Sequence, residues 1–212
     1  MKKVYIILTY TGTWLAKIVR YYTKREYSHV SISLDENLQR MYSFGRKNPY
    51  IAFWGGFVHE SAKYGTFKRF KNTKALIYQV YVSEEQYERL SELILKFKKK
   101  RKLYRFNVLG LMGVAFSKKR KKENYFYCAE FVQYMLEQTK VVKEPLPEVI
   151  KPEDFKKVPD LEVVFEGILK EYQQMKDKEK KVKRKQNKKA KLDKPKDEEE
   201  NKDSNNKKEE KR

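Results

Sequence analysis

Packable side chains run only as far as Tyr172, and that limit decides how much of this chain can build a core. From Gln173 to Arg212 the sequence is Lys, Glu, Asp and Asn with almost no apolar residue among them. Such a stretch cannot bury enough surface to offset the entropy of ordering it, so 173–212 is expected to be a disordered tail. A long solvated helix over part of 171–192 is the structured alternative. Residues 1–172 suffice for one domain of ordinary size. Its bulk comes from aromatics, since the chain holds 16 Tyr and 12 Phe.

Within that domain the hydrophobic period changes from segment to segment. Lys3–Thr9 reads as a buried strand, rich in Val, Ile and Tyr. Thr11-Gly12-Thr13 opens a helix with Trp14, Leu15, Ile18, Val19 and Tyr22 at 3.6-residue spacing. A strand over 27–34, a turn at Asp35-Glu36-Asn37 and a return strand over 38–44 make a hairpin. Residues 45–56 read as an irregular loop, and 57–70 as a short strand with an excursion. A further strand spans 75–82. Ser83-Glu84-Glu85-Gln86 is a capping box that opens a helix with Tyr87, Leu90, Leu93, Ile94 and Phe97 on one face. That helix closes in the basic run 98–102, at the negative end of its dipole. An apolar segment over 106–116 and a basic loop over 118–122 lead to a helix over 127–138. Four prolines punctuate the region up to a last strand over 161–165.

The formal net charge is +21. Residues 173–212 hold 17 Lys and Arg against 10 Asp and Glu, a net of +7, which leaves +14 on residues 1–172. A field of that sign draws polyanions such as nucleic acid, anionic lipid headgroups or acidic wall polymers. Its plain alternative is a solvated lysine-rich surface with no specific partner. One cysteine allows no internal disulfide, which suits a reducing compartment. The apolar run Val4–Leu8 is too short for the core of a signal peptide. No apolar stretch reaches the ~18–20 residues that cross a bilayer. A cytoplasmic protein that is not transmembrane is the expectation.

That single cysteine, Cys128, stands at the start of the 127–138 helix, and His29 stands on the 27–34 strand. A thiol at a helix N-terminus is favoured as thiolate by the helix dipole, and imidazole is the usual base to take its proton. Each residue also has an ordinary reading. Free cysteine packs as a small hydrophobe, and Phe131, Val132 and Met135 continue an apolar face from it. His59, on Phe57-Val58-His59-Glu60, competes with His29 as the base. Tyr50, Phe53, Trp54 and Phe57 are candidates for a cleft wall, or for ordinary core.

The order of these segments resembles the permuted NlpC/P60 branch of the papain-like superfamily, in which the His-bearing strand precedes the Cys-bearing helix. The likeness covers roughly residues 3–168. It rests on Tyr27-Ser28-His29-Val30, on Phe126-Tyr127-Cys128-Ala129-Glu130-Phe131-Val132, and on Pro152-Glu153-Asp154-Phe155 ahead of the closing strand. The resemblance implies an α+β fold, an antiparallel sheet packed against helices that include the nucleophile helix. It makes Cys128 the nucleophile and His29 the general base, with the Cys128 amide helping to hold an oxyanion. A third polar residue, on the strand after the His strand, orients the imidazole in that family. Ser43 is the occupant here, a weaker partner than the His, Asn or acid commonly found. Glu130 should point away from the thiol, as a structural residue. The implied activity is a cysteine amidase or peptidase, or an acyltransferase, working through a thioester on an amide- or ester-bearing peptide or lipid. No cofactor and no metal enter that chemistry. The alternative is a catalytically idle papain-like domain that holds nucleic acid or an anionic membrane surface.

Overall fold

Strand β1 (Lys2–Tyr10) is buried at every residue from Val4 to Thr9, as a strand must be when both faces of its sheet are covered. The structure is a computed structural model that describes residues 1–47, 55–107 and 123–192. β1 pairs with β2 (His29–Ser33) on one side and β5 (Lys74–Val82) on the other. Beyond β2 lie β3 (Met41–Arg46) and β4 (Gly55–Glu60), and beyond β5 lies β8 (Glu162–Ile168). The six strands run antiparallel in the order β4-β3-β2-β1-β5-β8. The chain is therefore of the α+β class among its described residues.

Side chains alternate across a strand, and that alternation splits the core in two. On one face Val4, Ile6, Leu8, Val30, Ile32 and Phe44 pack under two helices. These are α3 (Glu84–Lys99), through Leu90, Ile94 and Phe97, and α4 (Cys128–Gln138), through Phe131, Val132 and Met135. On the other face Tyr5, Ile7, Met41 and Ile77 meet Phe67 of the short α2 (Gly65–Arg69) and the first turn of α5 (Leu169–Leu192). α3 has the expected capping box: the Ser83 hydroxyl accepts from Gln86 N–H, and the Gln86 side chain accepts from Ser83 N–H.

Aromatic rings fix where α4 begins. Phe97 stacks on Tyr104 at 4.2 Å, and Phe44 meets both Phe126 and Phe131 at 5.2 Å between ring centres. Phe126 lies in β7 (Tyr125–Phe126), which pairs in parallel with β6 (Arg105–Phe106). The β6 segment crosses β4 so closely that a Cβ on Gly55 would lie 2.7 Å from the Phe106 Cβ and 2.6 Å from the Gly45 carbonyl. Only glycine fits there, and that crossing leads the chain toward Cys128.

Several boundaries differ from those expected. The β2–β3 turn is longer than three residues because Asp35 takes the N–H groups of both Gln39 and Arg40, holding 35–40 out of the sheet. β4 starts at Gly55, inside the expected loop, because its paired glycines serve a close crossing instead of a turn. Residues Met1–Gln173 form one compact unit, and Gln174 opens a second. α5 continues to Leu192, so the described part of 173–212 is helical where disorder was expected. Its Lys-, Gln- and Glu-rich composition has good helix propensity, and Lys176 pairs with Glu179 at 2.9 Å. The apolar segment over 108–116, the basic loop over 118–122, Tyr50, Phe53, Trp54 and residues 193–212 lie outside the described residues. Phe57 is core, against Phe44, Phe97 and Phe131.

Candidate active site

β2 begins where Ser28 N–H donates to the Thr9 carbonyl at 3.1 Å, which sets His29 opposite Thr9 in the register. Two residues on, Ser31 shares the face of His29. β3 passes next with Gly45, where an added Cβ would lie only 3.6 Å from His29 Cε1 and 3.8 Å from Glu60 Oε1. A longer side chain there would grow into the imidazole. Glycine at 45 instead leaves room for Glu60, at the end of β4, to reach across the intervening strand. Both Glu60 carboxylate oxygens lie 3.1 Å from His29 Nε2. Ser31 Oγ donates to Glu60 Oε2 at 2.6 Å, so the carboxylate is itself held in place.

Ser31 Oγ lies 3.3 Å from the same His29 nitrogen, and Cys128 is the other group close enough to act on the imidazole. It is the first residue of α4, buried at 3 % exposure. The helix start is anchored around it. Tyr127 donates its hydroxyl to the Ile150 carbonyl at 2.9 Å, and Glu130 accepts the Tyr127 N–H at 3.1 Å. Glu130 also takes the Asn107 side-chain amide at 3.4 Å. Glu130 is thus a cap on the cysteine helix.

The electrostatics follow from these contacts. Burial alone would push the His29 imidazole below its ordinary value of 6.5. The Glu60 charge opposes this and wins, with hydrogen bonds from Cys128 and Glu60 adding to it, and His29 is pushed up to about 10. Burial would likewise raise Glu60, but the His29 charge and the hydrogen bonds from His29 and Ser31 hold its carboxyl below the usual range. At neutral pH the pair is an imidazolium and a carboxylate, with side chains 20 % and 16 % exposed.

Sequence reasoning brought His29 and Cys128 together, and they are together here. Ser43 stands elsewhere: it is buried and donates to the Val30 carbonyl at 2.7 Å, bracing the β2 backbone beside His29. The group against the imidazole is Glu60, on β4, one strand farther out than the β3 strand that carries Ser43. His59 points to the other side of β4, exposed, stacked on Tyr42 at 5.1 Å with Nε2 3.2 Å from the Gln39 carbonyl. It does not compete for the thiol. The missed signal was the acid that closes Phe57-Val58-His59-Glu60: the segment reads as a short strand, but nothing local to it shows that Glu60 reaches back across β3 to His29.

No family model matches this chain, and no curated protein matches it. What the site can do therefore rests on its own chemistry. Among the described residues, no group of three or more His, Cys, Asp or Glu could hold a metal ion, and no helix is long and apolar enough to cross a membrane.

Proposed function

We propose that this protein is a cysteine-nucleophile hydrolase (amidase or peptidase) or acyltransferase of the permuted NlpC/P60, papain-like kind, with Cys128, His29 and Glu60 as its reacting set. The observation that carries the reading is one imidazole set between a half-buried carboxylate and a thiol at a helix N-terminus. Nε2 is occupied by Glu60, which leaves Nδ1 as the nitrogen for the thiol. In the reacting pair the Cys128 proton already rests on His29, and Glu60 stabilises that imidazolium. The sulfur attacks the substrate carbonyl carbon, and the carbonyl π electrons move onto its oxygen. The main-chain N–H of Cys128 at the open end of α4 faces that developing charge. The tetrahedral species collapses by expelling the amine or alcohol, to which His29 returns the proton, and a thioester remains. Water gives a hydrolase; a second acyl acceptor gives a transferase. In either case His29 removes the proton of the incoming group, and the thiol is released.

The buried, 3 % exposed thiol and the +21 net charge favour one second reading, an idle papain-like domain that binds anionic partners. Labelling with a small electrophile such as iodoacetamide separates the two. The enzyme reading expects rapid modification of Cys128 near neutral pH and a rate lower by about 100-fold in His29→Ala, the scale of a lost general base. Slow labelling that His29→Ala leaves unchanged would give first place to the idle domain.

A further inference from the structure

We propose that helix α1 (Trp14–Thr23) and the turn after it dock this protein on an anionic phospholipid surface. The helix is capped by Thr13, whose hydroxyl accepts from Ala16 N–H at 3.3 Å, and it ends where Lys24 takes a left-handed φ of 51°. Trp14, Lys17 and Tyr21 recur at intervals of three and four, which sets them in one stripe, and Lys24 follows in the turn after it. Trp14 is 69 % exposed and Tyr21 78 % exposed, while Ala16 on the opposite side is buried.

Beneath that stripe lies an open groove of about 660 Å³. Its lining includes four cations, Lys17, Arg20, Lys24 and Arg25, and a single acid, Glu26. That acid is paired with Lys74 at 3.1 Å, so it takes little from the positive character of the groove. The walls are fixed. Arg20 sits over the Tyr10 ring at 5.0 Å, and Glu153 accepts the N–H groups of both Glu26 and Tyr27 while lying 3.9 Å from Arg25. The groove is thus a preset basic concavity, bordered by large aromatic side chains that face solvent.

Basic residues alternating with exposed Trp and Tyr on one helical stripe are what an interfacial helix needs. The cations meet headgroup phosphates and the aromatic bodies enter the headgroup layer. A single-stranded nucleic acid would use aromatics as a stacking platform inside its groove. Tyr10 and Tyr21 line the groove, but Arg20 covers the Tyr10 ring, and the exposed Trp14 lies outside the lining, which fits a planar lipid surface better. Docking there would bring the end of β1 to the surface, one residue beyond the Thr9–His29 pair. It does not depend on the chemistry of Cys128, so Cys128→Ala should bind vesicles as the wild type does.

The test is sedimentation of the full chain with phosphatidylcholine vesicles that carry about 30 % phosphatidylserine, against phosphatidylcholine alone. The wild type should prefer the anionic vesicles. Lys17→Glu with Lys24→Glu should weaken binding by at least about tenfold, since each basic residue near such a surface contributes on that scale. Trp14→Ala with Tyr21→Ala should weaken it several-fold, with the helical circular dichroism unchanged. Tryptophan emission should shift to the blue on anionic vesicles in the wild type and lose that shift in Trp14→Phe. Equal binding by wild type and both double variants would overturn the proposal, because the same tail is present in each. So would binding to a single-stranded oligonucleotide that is tighter than to vesicles and lost in the same variants.

Discussion

Whether His29 is charged decides both the chemistry and the stability of this site. Its folded value of about 10 lies above the 6.5 of an unfolded histidine. The stabilisation it contributes is therefore complete below pH 6.5 and is lost as pH rises through about 10. Glu60 has the opposite sign: held below its ordinary 4.5, it contributes above that value and loses its contribution as pH falls. Urea midpoints measured across the alkaline window should fall more steeply in the wild type than in His29→Asn. Parallel curves would mean that the ion pair adds nothing to folding. In Glu60→Gln the imidazole loses the charge that outweighs its burial, so its NMR titration midpoint should drop toward or below 6.5. A midpoint unmoved by Glu60→Gln would assign the raised value to Cys128 instead. At this scale His29 and Cys128 were legible because each stood in a recognisable local pattern. Glu60 was not, because its role depends on a long side chain crossing β3 at Gly45, a relation between three strands that no short motif carries.

At the scale of elements, legibility followed the strength of the local signal. α3 was readable from end to end, since Ser83 and Gln86 announce the cap and Leu90, Ile94 and Phe97 repeat with helical period. Removing the cap with Ser83→Ala should cost about 1 kcal/mol in a denaturant melt. The start of β4 was hidden because Gly55-Gly56 signals a loop to any local reading, whereas here the glycines admit the β6 backbone. A methyl at 55 has no space, being 2.6 Å from a carbonyl oxygen and 2.7 Å from a Cβ. Gly55→Ala should therefore destabilise by about 2 kcal/mol. It should also slow Cys128 labelling more than Ser83→Ala does, because the strain falls on the segment that positions α4. If Gly55→Ala melts like the wild type, the crossing is looser than the distances imply. α5 past Gln173 stood only as the alternative to disorder for a different reason. Its charges suppress burial, which reads as disorder, while the same Lys, Gln and Glu side chains support a helix.

For the whole molecule, the question is where the folding unit ends. Composition put the boundary after Tyr172, and the compact unit closes at Gln173. The last residues of that unit are fastened: Tyr172 is buried, and its hydroxyl donates to the Glu36 carbonyl at 2.8 Å. The Gln173 side chain donates to the Asn37 carbonyl at 3.0 Å. Both bonds hold the β2–β3 turn, whose strands carry the site. A chain ending at Gln174 keeps these contacts and should melt within about 3 °C of the full chain, a shift worth about 1 kcal/mol or less for a domain of this size. Tyr172→Ala in the full chain removes a large buried aromatic and its hydrogen bond together. It should cost about 3 kcal/mol or more and lower the melting temperature by roughly 8 °C. The two results must diverge. Equal losses would mean that residues beyond Gln174 stabilise the first unit, and the helix continuing to Leu192 would then belong to the fold of residues 1–173.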